Sequence, residues 1–138
     1  MEARIVIVDD HEIVREGVRG LMGKSRPEWE ICGEATNGKD AIELCETLKP
    51  DVMILDITMP GMSGLEAASR MAQLGLGCRL LMFTMHESER LTNDVRQSGA
   101  QGLVLKTRAA SDLIRAIDCL LGGGTFFESG TSQQTLAG

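Results

Sequence analysis

Five short apolar runs alternate with segments of helical periodicity, and this alternation constrains the fold more than any other feature of the sequence. The runs lie at residues 4–8, 29–35, 52–55, 79–83 and 102–105. Between them, apolar residues recur at the i, i+3, i+4 and i+7 spacing of an amphipathic helix, most clearly over 38–48. Strict alternation with short loops predicts a parallel sheet that helices cover on both faces.

The order of the strands can be predicted from their composition. The second run interleaves Glu30, Gly33 and Glu34 with apolar residues, which is typical of an edge strand, whereas the other four are continuously apolar. We therefore predict an α/β fold: a doubly wound five-stranded parallel sheet, (βα)5 and flavodoxin-like, with strand order 2-1-3-4-5. Helices are expected at 12–22, at 38–48, from the Ser63 cap to about Leu74, at 87–98, and over a last segment that the glycines 122–124 end. In the first helix, Ile13, Val14, Val18, Leu21 and Met22 form the predicted buried face.

Composition and charge exclude several classes of protein. The 138 residues suffice for one domain with a single core, and no apolar run reaches the roughly 18 residues of a membrane helix. The N-terminal sequence has no secretory signal, so we expect a cytoplasmic protein without a membrane partner. The net charge of −6 argues against nucleic-acid binding by this chain itself. The four cysteines form no CxxC pair and are expected to be reduced.

Polar side chains follow the interior strands where each strand ends. Asp9 and Asp10 follow strand 1, Asp56 follows strand 3, Thr84 follows strand 4 and Lys106 follows strand 5. In such sheets ligands bind beyond the carboxyl ends of the strands, near the point where strand order reverses, and strands 1 and 3 flank that point. A single polar residue at such a position is ordinary, because it can simply be a solvated loop residue. The convergence of three acids, a hydroxyl and an amine from four strands indicates a site.

The residue types narrow the chemistry of this site. Two carboxylates about 4 Å apart repel by roughly 4 kcal/mol at an effective dielectric near 20, so they need a cation or a proton. Oxygen ligands in a solvated site suit Mg²⁺, or Mn²⁺ in its place. With Lys106 and Thr84 as partners of phosphoryl oxygens, the set indicates phosphoryl transfer to a carboxylate. The segment GLMGKS at 20–25 lacks the spacing of a Walker loop, and we interpret it as a helix end and a loop.

At these residues the sequence resembles the receiver domain of two-component response regulators. The segments VDDHEIVREGVRGLM, ILDITMPGMSGLEA, FTMH and GLVLK occur in the family's order and spacing, and the likeness spans about residues 3–121. The segments VDDHEIVREG and AIDCLLGGGTFF resemble the LuxR/NarL-type subgroup, whose receivers precede a helix-turn-helix DNA-binding domain.

The resemblance implies a role for each position. Asp56 would accept the phosphoryl group from a phosphohistidine of a sensor histidine kinase or from a small donor such as acetyl phosphate. Asp9, Asp10, Asp56 and the Thr58 backbone carbonyl would hold the metal, and Thr84 and Lys106 would contact the phosphoryl group. Thr58, Met85 and His86 would tune phosphate lifetime, with a solvated His86 as the equal alternative. His11 is expected mainly to begin the first helix.

Two positions depart from the family pattern. Leu103 stands where many receivers have the Tyr or Phe that swings inward with the Thr, so aromatic rotation cannot report phosphorylation here. Thr107 replaces a common Pro, so a cis bond at 106–107 is not favoured by a proline.

The expected function is a phosphorylation-activated switch, not an enzyme with an external substrate. We predict a receiver domain over 1–121 and a linker or tail over 122–138, which leads to an output domain absent from this chain; DNA would be bound only through that domain, and phosphorylation could drive homodimerisation. One alternative is a standalone receiver or phosphorelay intermediate. A haloacid dehalogenase-type hydrolase would need an Asp at position 58, and a docking module with a silent site would not need the complete acid–Thr–Lys set.

Overall fold

A computed structural model describes residues 2–127 of the chain and confirms the predicted architecture. The elements follow in strict alternation: β1 (Arg4–Val8), α1 (Glu12–Ser25), β2 (Glu30–Ala35), α2 (Gly38–Leu48), β3 (Val52–Asp56), α3 (Gly64–Gln73), β4 (Arg79–Thr84), α4 (Glu89–Gln97), β5 (Gly102–Leu105), a 3₁₀ turn (Lys106–Arg108) and α5 (Ala109–Leu121). All strand pairs are parallel, in the order β2-β1-β3-β4-β5, so β2 is the predicted edge strand.

The apolar core lies on both faces of the sheet, as buried parallel strands require. On one face, alternate residues of β1, β3 and β4 pack against α1 and α5, with Ile7, Ile54 and Ile117 among the fully buried side chains. The other face packs against α2, α3 and α4 and contains Leu55 and Leu103. Among residues 2–127, no helix is long and apolar enough to cross a bilayer.

Helix α1 differs from the prediction in two respects. It continues to Ser25, so the helix does end within 20–25 as predicted, but the predicted loop in this segment was wrong, because all six residues are helical. Met22 is only 1% exposed, and packing of this side chain outweighs the low helix propensity of the neighbouring Gly20 and Gly23. The predicted apolar face was also wrong at Ile13, which is 76% exposed, because the face of α1 that packs against the core contains Val14 and Val18 instead.

A short segment after α5 returns to the free edge of β5. The Phe126 amide donates to the Gln101 carbonyl at 3.0 Å, and the Leu103 amide donates to the Phe126 carbonyl at 2.9 Å. The Phe126 ring is buried in the α1–α5 side of the core, and Arg96 of α4 lies over the Phe127 ring at 4.0 Å. Residues up to Phe127 therefore contact the folded domain, although their polar and glycine-rich surroundings indicated a linker.

Candidate functional site

The carboxyl ends of four strands bring the predicted site residues together. Asp9 directly follows β1, Asp56 and Thr84 are the last residues of β3 and β4, and Lys106 follows β5 as the first residue of the 3₁₀ turn. Asp9, Asp56 and Thr84 are 1%, 5% and 7% exposed, although each is polar. The parallel register aligns these strand ends, with Asp56 opposite Phe83 and Thr84 opposite Leu105.

Lys106 is the cation that links the two most buried carboxylates of the site, those of Asp9 and Asp56. Its Nζ lies 2.7 Å from Oδ2 of Asp9 and 3.4 Å from Oδ1 of Asp56. The Lys106 side chain is itself only 10% exposed, so solvent screens these pairs weakly. One ammonium thus faces two carboxylates, and a third carboxylate, that of Asp10, lies beside them.

The environment of Asp56 raises the pKa of its carboxyl above the ordinary value. Burial is the largest cause, because it disfavours the charged form, and the negative charge of Asp9 adds to it. The Lys106 ammonium and a hydrogen bond from the backbone N–H of Thr58 oppose this rise. The carboxylate of Asp56 is therefore poorly stabilised by the protein alone, and an additional cation would favour its charged form.

The arrangement of oxygen atoms around Asp56 fits a metal ion. Asp9, Asp10, His11 and Asp56 each place one potential ligand atom so that all four atoms lie within 4.8 Å of one another. Two buried carboxylate oxygens, Oδ2 of Asp9 and Oδ1 of Asp10, have no hydrogen-bond partner among the described residues. The short contact between Lys106 and Asp9 is an ion pair without hydrogen-bond alignment. Oδ1 of Asp10 likewise lies 3.2 Å from Nδ1 of His11 without an aligned hydrogen bond. Buried acceptors that lack an aligned hydrogen bond are uncommon in proteins, and a metal ion would satisfy them.

A cavity of about 660 Å³ opens over these carboxylates. Thr58, Met85 and His86 line it together with Asp56 and Thr84, so all three residues assigned to phosphate lifetime border the site. Met85 is 54% exposed and His86 is also exposed, and the His86 amide lies 3.4 Å from the Thr84 hydroxyl oxygen, to which it donates. The cavity is therefore open to solvent. The tuning roles of these three residues stay a prediction.

His11 contacts Asp9 and Asp10 more directly than the sequence indicated. Its backbone N–H donates to Oδ1 of Asp9 at 2.9 Å, and its Nδ1 lies 3.2 Å from that atom and 3.2 Å from Oδ1 of Asp10. It also occupies the position before α1, as predicted, but its side chain caps no helix amide. His11 therefore belongs to the site.

Two further residues support the site and were missed in the sequence. The Arg15 guanidinium donates to the backbone carbonyl of Asp9 at 2.7 Å and fixes the end of β1. Gly64, the first residue of α3, lies against the end of β3: a Cβ there would be 2.1 Å from the Asp56 carbonyl oxygen. The sequence shows Gly64 only as part of the Ser63 cap, and that close approach is a tertiary contact.

The switch position is buried and aliphatic. Leu103 is fully buried on the α2–α4 side of the sheet and pairs with Met82 of β4. Its backbone amide donates to Phe126, so this position touches the returning C-terminal segment through its main chain. All peptide bonds among residues 2–127 are trans, including the bond before Thr107.

Comparison with known proteins shows which family the chain belongs to. The response regulator receiver domain family matches residues 5–118. The transcriptional regulatory protein DegU of Brevibacillus brevis is 36% identical over 123 residues, which are 89% of this chain and 52% of DegU. The nitrate/nitrite response regulator protein NarL of Escherichia coli K12 is 37% identical over 115 residues, which are 83% of this chain and 53% of NarL. The chain thus spans about half the length of these curated relatives.

Solved structures agree with the sequence relatives. A LuxR-family two-component response regulator from Aurantimonas sp. SI85-9A1 has a TM-score of 0.86 and 36% identity, covering 91% of this chain and 89% of that one. The signal receiver domain of the putative response regulator NarL from Mycobacterium tuberculosis has a TM-score of 0.83 and 32% identity, covering 88% of this chain and 98% of that one. The chain is therefore a member of the response regulator receiver domain family, with LuxR-family regulators among its relatives.

Proposed function

We propose that this domain is a signalling switch in which Asp56 accepts a phosphoryl group from a phosphohistidine of a sensor histidine kinase. The observation that carries the proposal is the buried Asp56 carboxylate at the end of the central strand, 3.4 Å from the Lys106 ammonium and facing an open cavity. Such a carboxylate has the two requirements of an acceptor: access for a donor and a nearby cation for the transferred oxygens.

The proposed transfer combines the side chains of the site with a phosphohistidine donor and a divalent ion. One carboxylate oxygen of Asp56 attacks phosphorus, and the bond from phosphorus to the donor's imidazole nitrogen breaks. That nitrogen leaves with the bonding electron pair, and the imidazole is neutral because its other ring nitrogen carries a proton. A divalent ion at Asp9, Asp10 and Asp56, with the Thr58 carbonyl as a further ligand, would neutralise charge on the phosphoryl oxygens. The Lys106 ammonium would pair with one of those oxygens, and the Thr84 hydroxyl would donate a hydrogen bond to another.

The same site would also hydrolyse its own acyl phosphate, so the domain would catalyse only its own phosphorylation and dephosphorylation. Mg²⁺ is the proposed ion, because carboxylate and carbonyl oxygens in a solvated site are the ligands that it prefers. Mn²⁺ would serve in its place. Thr84 is the last residue of β4, and Lys106 directly follows β5, which pairs with β4. A movement of either residue toward a phosphoryl group would therefore displace the ends of both strands.

The relatives support a role in transcription control. DegU is named a transcriptional regulatory protein, and this chain matches about half of its length. We infer that the receiver acts within a longer LuxR-type regulator, whose DNA-binding domain would lie outside this chain and would alone contact DNA. Phosphorylation would then promote homodimerisation of the receiver. Action in the cytoplasm is part of this proposal.

The test is phosphorylation of the chain by acetyl phosphate, followed by intact mass spectrometry. With Mg²⁺ the chain should gain the mass of one phosphoryl group, and excess EDTA should prevent the gain. Asp56→Asn should abolish it. Asp51→Asn is the matched control, because Asp51 directly precedes the same strand at its opposite end. A full gain in Asp56→Asn, or an equal loss in both variants, would overturn the assignment.

A further inference from the structure

The imidazole of His11 lies between two carboxylates of the proposed cation site. Its Nδ1 is 3.2 Å from Oδ1 of Asp9 and 3.2 Å from Oδ1 of Asp10. The backbone N–H of His11 also donates to the same Asp9 oxygen, at 2.9 Å, which fixes the residue's main chain against the acid. The side chain is 63% exposed, so it can reach a group in the cavity as well as the two acids.

The position of His11 before α1 does not account for its side chain. The first amides of the helix bond to the His11 backbone carbonyl, which accepts from Val14 at 3.1 Å and from Arg15 at 3.3 Å. The imidazole makes no capping hydrogen bond. Asp, Asn, Ser or Thr would cap this end better, so a helix-starting role does not require a histidine.

The distances around His11 are those of neighbouring ligands of one ion. In octahedral coordination with bonds of about 2.1 Å, adjacent ligand atoms lie about 3.0 Å apart. In the metal-free structure Nδ1 of His11 shares a hydrogen bond with Oδ1 of Asp9, and its separations of 3.2 Å from the two carboxylate oxygens are also close to this ligand spacing. Oδ2 of Asp9 and Oδ1 of Asp10 lack an aligned hydrogen bond among residues 2–127, although Lys106 and His11 lie against them, and a cation would satisfy both oxygens.

We propose that His11 supplies an imidazole ligand to the divalent ion and so determines which metals this receiver prefers. The inference rests on the proposed cation site and adds a nitrogen to its oxygen ligands. Mg²⁺ favours oxygen, whereas imidazole favours later first-row ions such as Co²⁺ and Ni²⁺. The site would therefore bind Co²⁺ and Ni²⁺ through four side chains but use mainly carboxylates for Mg²⁺.

The experiment compares metal affinities of the full chain and two variants by isothermal titration calorimetry, at one pH near 8. His11→Gln should weaken Ni²⁺ binding about tenfold or more, the size expected for losing a ligand or its close support, and should change Mg²⁺ binding less than about twofold. Glu16→Gln is the control, because Glu16 is an exposed residue of α1, the helix that follows His11, and does not line the cavity. It should change neither affinity.

A spectroscopic measurement separates ligation from indirect effects. Electron spin echo of the Cu²⁺-loaded chain, Cu²⁺ being an ion that favours imidazole, should show coupling to an imidazole nitrogen in the unmodified protein and in Glu16→Gln, and none in His11→Gln. If Cu²⁺ binds but no nitrogen coupling appears, or if the coupling survives in His11→Gln, the role of His11 is refuted and the cation site stands. If no divalent ion binds the unmodified chain, both the cation site and the role of His11 are refuted.

Discussion

The two ends of β3 each present an aspartate, yet their surroundings differ completely. Asp51, before the strand, is exposed, and its carboxylate accepts a hydrogen bond from the Arg4 amide at 2.8 Å. The Arg4 guanidinium in turn donates to the Leu48 and Lys49 carbonyls and so holds the end of α2. Asp56, at the other end, is buried beside other carboxylates, and one lysine, Lys106, pairs with both Asp56 and Asp9.

The difference indicates that the polar contacts at the amino end of the sheet stabilise the fold, whereas those at the carboxyl end form a functional site. At the amino end of the sheet, Asp51 and Arg4 each have a partner, and their contacts join α2, β1 and β3. At the carboxyl end, buried acids outnumber their cation, and two carboxylate oxygens have no hydrogen-bond partner within the described chain. Proteins retain such destabilising clusters chiefly where a ligand completes them. The following variants test this contrast.

Replacement of Lys106 should have the largest effect. Lys106→Met removes the only lysine that contacts both Asp9 and Asp56, and we expect phosphorylation by acetyl phosphate to slow about a hundredfold, as when one charge-stabilising donor is lost. The rate is measured by intact mass against time. Lys24→Met removes a lysine from the exposed end of α1 and should leave the rate unchanged. Equal rates in Lys106→Met and the unmodified chain would show that Lys106 does not contact the transferred group.

A methyl group at Gly64 should disturb the end of β3. Gly64→Ala would place a carbon 2.1 Å from the Asp56 carbonyl oxygen, so backbone must shift, and we expect a loss of about 2–3 kcal/mol in the free energy of unfolding. Urea denaturation measures it. Gly20→Ala is the control in α1, where nothing lies within 4 Å of the new methyl, and it should stabilise by about 0.5–1 kcal/mol. Stabilisation of both variants would contradict the close packing of α3 on β3.

Neutralising Asp56 should stabilise the domain, and more so at higher pH. The pKa of Asp56 is higher in the folded than in the unfolded chain, so folding takes up protons between the two values. The contribution of Asp56 to the free energy of unfolding is therefore largest below the ordinary carboxyl pKa, and it is lost as pH rises through the pKa of Asp56 in the folded chain. Without metal, Asp56→Asn should gain about 1–2 kcal/mol at pH 8 and little near pH 4.

The aspartate at the other end of the strand provides the comparison. Asp51→Asn keeps an acceptor for the Arg4 amide, and we expect its stability to stay within about 0.5 kcal/mol of the unmodified chain at both pH values. Thermal unfolding at the two pH values measures both variants. A gain in Asp56→Asn that is equal at pH 4 and pH 8 would refute the electrostatic cause.

The fold and the main site residues could be predicted because they follow from local patterns. Apolar runs define strands, their alternation with helices defines the parallel sheet, and parallel strands bring Asp9, Asp56, Thr84 and Lys106 to one edge. The composition of β2 also correctly indicated its edge position.

The remaining features depend on tertiary contacts that a single sequence does not show. Ile13 has the spacing of a core residue, but the face of α1 that packs against the core contains Val14 and Val18 and leaves Ile13 exposed. Phe126 follows three glycines, yet it pairs with β5 and packs in the core. The contact of Gly64 with Asp56 joins two elements through a loop. His11 is the exception, because its place beside Asp9 and Asp10 in the chain was visible and was underestimated.

The central claim is that Asp56, and no other acid of the cluster, accepts the phosphoryl group. The chain is phosphorylated with acetyl phosphate and Mg²⁺, the acyl phosphate is reduced with borohydride to leave a homoserine, and the peptides are sequenced by mass spectrometry. The account predicts homoserine at position 56 and unmodified aspartate at Asp9, Asp10 and Asp51. Homoserine at one of those three positions, with Asp56 intact, would contradict it.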